Sequence, residues 1–300
     1  YGHRPSETAV PRSGHFPGTP LPNAATVMGV QGPLARSAED LELALDVIAG
    51  PDAGEETAWR LEIPPARHER LADFRVAVLP PIPWLPLDAE IAAALDSLAT
   101  GLGRAGVRVA RAQPETFGDL RDHTALYLSL LQVMTTITVA GEERPAMAAA
   151  MRRQNPGEIG EAMARGAEAG ASDYLIWHGR REEYRQAYRT FFKDWDLLLA
   201  PVYPTPAFPH IPLDVGFGSR TLAVNGEEIP YISAITYPSL TTLSGQPATA
   251  FPVGLTSGGL PIGLQAIGPY LEDRTPLRFA ALVAQEFGGF QRPPGYDDGA

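Results

Sequence analysis

Apolar positions recur along the chain at helical and strand periods. Leu41, Leu43, Ala44, Leu45, Val47 and Ile48 follow Ser37-Ala38-Glu39-Asp40 and end at Gly50. An acceptor side chain ahead of the first turn, acids in that turn and a closing glycine predict a capped amphipathic helix. Residues 74–79 are apolar apart from Arg75 and predict a strand. Residues 88–105 read as a helix ended by Gly106, and residues 107–110 as the next strand. Such a β-α-β unit implies a right-handed crossover and parallel pairing. Ser172-Asp173 opens a long helix running to about Trp195, with Arg180, Arg181, Glu182, Glu183, Arg185 and Arg189 as its charged face. Residues 196–200 read as a buried strand stopped by Pro201. Residues 248–253 and 262–267 add two short strands, and Asp273 caps a final helix ending near Gly288. Apolar strands alternating with helices predict an α/β fold covered on both faces.

Two uncharged stretches need separate treatment. Residues 124–141 carry no charge but include Ser129, Gln132, Thr135, Thr136 and Thr138. They predict a buried or pocket-lining helix rather than a membrane span. Residues 229–271 hold no Asp, Glu, Lys, Arg or His, and six prolines with six glycines break them. That excludes one membrane helix and predicts short strands and turns in the interior. The proline-rich residues 201–212 read as a loop within the fold. No internal repeat is found, and residues 1–300 are taken as part of one domain.

Composition removes several kinds of chemistry. With 24 basic and 35 acidic residues the net charge is −11, and no basic cluster exceeds pairs such as Arg152-Arg153 and Arg180-Arg181. Nucleic acid is therefore not expected as a partner. The absence of cysteine excludes disulfides, thiolate metal sites and cysteine nucleophiles. No glycine-rich phosphate loop, H-E-x-x-H or G-x-S-x-G motif is present. His178 and Glu182 lie four apart on one helix and read as a solvated pair rather than half a metal site. Ser257-Gly258-Gly259 reads as a turn. No metal or cofactor is expected. Tyr127, Trp177, Tyr184 and Tyr188 read as helix aromatics of the core, Tyr127 and Trp177 being the two placed to line a pocket. No apolar leader opens the chain, so cytoplasmic residence is expected.

Several blocks resemble, in order, those of the amidase signature family. They are Gly2-His3-Arg4-Pro5-Ser6; Gly32-Pro33-Leu34-Ala35-Arg36-Ser37-Ala38-Glu39-Asp40-Leu41; Asp196-Leu197-Leu198-Leu199-Ala200-Pro201; Ser244-Gly245-Gln246-Pro247-Ala248; and Gly259-Leu260-Pro261-Ile262-Gly263-Leu264-Gln265. Gly288-Gly289-Phe290 with Pro293-Pro294-Gly295-Tyr296 resembles the ending of bacterial members. The resemblance implies a mixed sheet core with helices on both faces. It also implies hydrolysis of a small carboxamide or aryl/acyl amide through an acyl-enzyme, by a Ser–cis-Ser–Lys triad.

In that family the lysine and both serines precede the block that Tyr1 to Ser6 resembles. The resemblance thus implies an N-terminally incomplete domain with no catalytic residue of its own, inactive alone. Lys193, the only lysine, falls on the late helix and is expected to be solvated. Candidate substrate-binding residues are Tyr127, Leu131 and Met134, which share a helix face, with Trp177 and Thr242. Thr242 stands where many members carry Asn, and Val202 where many carry Thr. The expected partners are a small-molecule amide and either a second copy, as a homodimer, or the absent N-terminal segment; no membrane is expected. The alternative is a non-catalytic scaffold or partner subunit, one resembling the A component of an amidotransferase.

Overall fold

A computed structural model describes residues 1–14, 21–212 and 214–296. Its main sheet contains β1 (Gly2–Arg4), β2 (Arg75–Val78), β3 (Arg108–Arg111), β4 (Leu197–Pro201), β7 (Ala248–Leu255) and β8 (Pro261–Ile267). The spatial order is β1-β7-β8-β4-β2-β3. β3, β2 and β4 run parallel, whereas the β4–β8, β8–β7 and β7–β1 pairs are antiparallel. The helices are α1 (Ala38–Ile48), α2 (Ala89–Arg104), α3 (Arg121–Thr135), α4 (Arg144–Gln154), α5 (Glu158–Glu168), α6 (Ala171–Asp194), α7 (Thr236–Thr242) and α8 (Arg274–Phe287).

Strand alternation divides the core into two layers. Val76, Val78, Leu197, Leu199, Leu264 and Ala266 bury against α2 and α8. Their neighbours Ala77, Leu79, Leu198, Ala200 and Ile267 face the opposite layer, made with α3, α5, α6 and α7. The parallel β2-α2-β3 unit and the apolar β4 are as the apolar pattern predicts. On α1, Ser37 accepts a hydrogen bond from the Asp40 N–H, 3.1 Å, and Leu41 and Leu45 bury against Leu277. Ser37→Ala is expected to cost about 1 kcal/mol of stability, read from the denaturant midpoint.

Residues 229–271 are not only strands and turns. They contain α7, because the hydroxyl groups satisfy themselves within the helix. Thr236 donates to the Ser233 carbonyl, 2.9 Å, Ser239 to Thr236, 2.7 Å, and Thr242 to Pro238, 2.9 Å. A polar-looking run thereby becomes a buried helix, and Pro238 sits early enough to lose little. The apolar pattern does not predict helices α4 and α5 either; α4 has no long apolar stripe, only Ala148 being buried.

An unforeseen hairpin, β5 (Thr221–Val224) with β6 (Glu227–Pro230), turns through Asn225-Gly226, both at positive φ. Its Asn225 Oδ1 accepts from the Ala89 N–H at 2.9 Å, and its Nδ2 donates to the Leu87 carbonyl at 2.9 Å. The hairpin thus supplies a second cap to α2 beside Asp88. Two further expectations are corrected. Asp273 precedes α8, but its carboxylate makes no cap bond and turns instead to His3 of β1 and to Ser6 just beyond it. Arg181 is not on a solvated face: it is 1% exposed.

Candidate functional site

The polar interior is concentrated where the chain leaves β1. Arg4 Nη1 donates to the carbonyls of Gln246, 2.7 Å, and Pro5, 3.1 Å, and Nη2 to that of Met28, 3.1 Å. Burial lowers its pKa to about 10, with Glu7 opposing. Glu7 is the hub. Its N–H donates to the Gly245 carbonyl at 3.0 Å, and Oε2 accepts from the Met28 N–H at 3.3 Å and from Arg181. Arg185 lies 3.6 Å from Oε1. The same two arginines reach across to the next turn, Arg181 donating to the Leu243 carbonyl and Arg185 to that of Ser244, 3.0 Å. One carboxylate therefore fixes α6, the residue 243–246 turn and Met28 together.

Two backbone features belong to this cluster. Met28 is buried at φ 69°, a left-handed conformation that is unusual outside glycine. It is gripped through its N–H by Glu7 and through its carbonyl by Arg4. Gly245 has φ 79°, and a Cβ there would sit 2.9 Å from Glu7 Cβ. Glycine is thus required for both conformation and space. On the same turn Ser244 Oγ and Gln246 Oε1 are buried without a hydrogen-bond partner among the described residues. Unpaired buried polar atoms and strained backbone concentrate at functional sites more often than elsewhere.

The five candidate residues differ in their surroundings. Tyr127 is buried in the apolar layer, with its pKa pushed up to about 12 by burial against the opposing charge of Arg4. Leu131, Met134 and Trp177 are half-buried against that layer. Thr242 is half-buried at the end of α7, its hydroxyl committed to Pro238. None of the five lines the apolar groove of ≈510 Å³ between Tyr1, Tyr203, Phe251 and Phe290, or the ≈430 Å³ cavity beside Trp84 and Asn155. Sequence reasoning misses Glu7 and the inward role of Arg181; the only local signal is Gly245 beside unexplained polar residues.

Two histidines make arrangements that resemble catalytic ones. His3 Nδ1 lies 3.0 Å from Thr249 Oγ1 and Nε2 3.3 Å from Asp273 Oδ1. Asp273 also accepts from the Ser6 N–H, 2.7 Å, and the Ser6 hydroxyl, 2.6 Å. The side chains of His3 and Asp273 are completely buried, so no substrate reaches them. The set clamps β1 onto β7 and the start of α8. His123 faces Ser239 Oγ at 3.3 Å, but that hydroxyl is close to the Thr236 carbonyl. Burial lowers the His123 pKa to about 3, too low for a base at neutral pH. Its NMR signals are expected not to titrate between pH 8 and about 4.5, whereas the unfolded chain takes up the proton below about pH 6.5. Unfolding is favoured correspondingly as the pH falls. Among the described residues no group of three His, Asp or Glu side chains is set to hold a metal.

The family model for Amidase matches residues 1–277. The chain belongs to the amidase family. The match takes in every strand of the main sheet. Gly32, in one of the blocks noted above, shows why such a block is constrained: a Cβ would fall 1.9 Å from the His3 carbonyl oxygen. The chain is 31% identical to the A component of the Glutamyl-tRNA(Gln) amidotransferase of Thermus thermophilus, over 95% of this chain and 60% of that protein. It is 27% identical to an Indoleacetamide hydrolase of Bradyrhizobium diazoefficiens, over 90% of this chain and 48% of that one. Among solved structures, a bacterial aryl acylamidase superposes with a TM-score of 0.68 at 21% identity, covering 95% of this chain and 58% of that one. A 6-aminohexanoate cyclic dimer hydrolase does so with a TM-score of 0.64 at 26% identity, covering 95% and 60%. The chain spans about half to three-fifths of the length of these amidase relatives. No helix among the described residues is long and apolar enough to cross a membrane.

Proposed function

We propose that this chain forms the greater part of an amidase that hydrolyses a small carboxamide or aryl/acyl amide. The family match across residues 1–277 carries this reading. The reaction would be acyl transfer to a serine and then to water. The serine oxygen adds to the amide carbonyl, a proton passes to the leaving nitrogen as the C–N bond breaks, and water releases the acid. The base and nucleophile of the proposed Ser–cis-Ser–Lys triad are assigned to residues outside these 300. What supports this is Lys193, the only lysine, which is exposed at the end of α6. The buried hydroxyls of Ser6, Ser129 and Ser239 are already committed to Asp273, to the carbonyls of Ala125 and Ala162, and to Thr236, and the buried Ser244 hydroxyl has no hydrogen-bond partner among the described residues that could act as its base.

In this reading Tyr127, Leu131, Met134, Trp177 and Thr242 form one wall of the acyl pocket, on the framework set by Arg4 and Glu7. The partner completing the site is a further stretch of polypeptide, and a homodimer is the alternative assembly. Residence in the cytoplasm is proposed with it. A second reading is favoured by the Thermus relative, whose name is that of one component of an amidotransferase: a partner chain in an assembly rather than a free hydrolase.

The test compares this chain with a polypeptide that includes its flanking coding sequence. Ammonia release from indole-3-acetamide and phenylacetamide is measured, with hydroxylamine trapping of an acyl-enzyme. Turnover only in the longer polypeptide is expected. Turnover by the purified 300-residue chain would overturn the assignment of the triad. No turnover by either would favour the partner-chain reading.

A further inference from the structure

A groove of ≈660 Å³ runs along α6 against the loop at Pro114. Its floor is apolar, with Phe191 and Trp195 stacked at 6.4 Å between ring centroids and Ala187 and Pro114 alongside. Its rim carries Glu115, Glu182, Glu183 and Asp194, and no arginine or lysine lines it. Glu182 is paired with Arg185 at 3.0 Å. The side chains of Glu115, Glu183 and Asp194 are exposed and make no hydrogen bond or ion pair among the described residues, Asp194 feeling only the more distant charge of Arg75. Arg181 and Arg185 of α6 turn to the Glu7 cluster, and Arg189 donates to Gln186 on the groove wall. Arg108 stands 5.2 Å from the Trp195 ring centroid, so the chain's own guanidinium already holds this indole in place as part of the groove floor.

An aromatic floor beneath unpaired carboxylates fits a cation carried on an apolar body. A bare metal ion would gain nothing from the indole, and an anion would meet like charge. An amphipathic partner segment would bring apolar contact and complementary charge to such a groove together. We propose that this groove docks an arginine-bearing amphipathic segment of another protein, one guanidinium meeting the rim carboxylates and its neighbouring apolar side chain covering Phe191 and Ala187. Arginine is favoured over lysine because its planar head can bridge carboxylates bidentately.

The probe is a fluorescein-labelled peptide of four Arg-Leu-Ala repeats, followed by anisotropy with the purified protein. The Glu115→Gln, Glu183→Gln, Asp194→Asn triple variant changes only exposed rim groups and leaves Glu182 in its pair with Arg185. It is expected to bind at least tenfold more weakly, with an unchanged unfolding midpoint. A control triple at exposed sites away from the groove, Glu55→Gln, Glu62→Gln, Glu142→Gln, is expected to bind as the parent does. Lysine in place of arginine in the peptide is expected to weaken binding several-fold. Equal losses in both triples would reduce the effect to overall charge and overturn the proposal. Unchanged binding by the rim variant would overturn it as well. Displacement of the peptide by agmatine at matching concentrations would reassign the groove to a free small cation, which also overturns docking of a segment.

Discussion

Glu7→Ala is expected to lower the unfolding free energy by about 3–5 kcal/mol, the usual cost of removing one partner of a buried ion pair. The loss has two parts. Arg181, 1% exposed, keeps its charge with no carboxylate beside it. Burial already lowers the Arg181 pKa, with Glu7 the main opposing group, so removal of Glu7 leaves burial and the like charge of Arg185 opposed by Glu182 alone. Met28 loses the acceptor for its N–H while still held at φ 69°. The measurement is a denaturant midpoint for Glu7→Ala, Arg181→Met and the double variant. The double variant should recover part of the Glu7→Ala loss, because the stranded charge is gone. A single-variant loss under about 1 kcal/mol, the value of an exposed pair, would show that Glu7 is not the hub.

In the longer polypeptide proposed above, the same substitution has a catalytic consequence. Arg4, Arg181 and Arg185 hold the carbonyls of Gln246, Leu243 and Ser244, and Glu7 orders two of those arginines. Loosening that turn would move a pocket wall without touching a reacting atom. The fall in turnover should therefore come with a changed preference among acyl groups, not a uniform loss.

The central strands are legible because each buries both faces and reads as a short apolar run, as Leu197 to Ala200 does. Helices with a cap and a stripe, such as α1 and α2, are legible from their ends and their period. Helix α7 is not, since Thr236, Ser239 and Thr242 look like loop residues until their hydroxyls are seen folded back on the helix. The charged interior is illegible on different grounds. Glu7 and Arg181 stand 174 positions apart, and His3 and Asp273 stand 270 apart. Nothing local marks Arg181 as different from Arg180. The ordered blocks do point to the region, because Gly2 to Ser6 and Ser244 to Ala248 meet as β1 and β7, with Arg4 opposite Ala248. The side chains proposed for an acyl wall follow from helical spacing alone. That spacing places Tyr127, Leu131 and Met134 against one apolar layer without saying whether the layer opens to substrate.

Asp196→Ala is expected to cost as much as Glu7→Ala, about 3–5 kcal/mol, although the residue reads in the sequence only as the start of a strand. Its carboxylate ties three segments. It accepts from the Arg75 N–H, 2.8 Å, from Arg75 Nε and Nη2, 3.1 and 2.8 Å, and from Arg67 Nη1, 3.1 Å; His68 Nε2 lies 3.2 Å away. These contacts set β4 beside β2 at the edge of the parallel unit. Asp196→Asn keeps one acceptor and should lose less than Asp196→Ala. The parent and Asp196→Asn also differ in their response to acid. Burial works to raise the Asp196 pKa, but the hydrogen bonds from Arg75 and Arg67 outweigh it and leave the carboxyl below its ordinary value. A folded pKa below the unfolded one gives stability that is complete above the unfolded pKa, about 3.9. It is lost as the pH falls through that value and on through the lower folded one. The parent protein should therefore lose more stability between about pH 5 and pH 3 than Asp196→Asn does, which has no proton to take up. Identical slopes of unfolding free energy against pH for the two proteins would show that Asp196 does not carry this linkage.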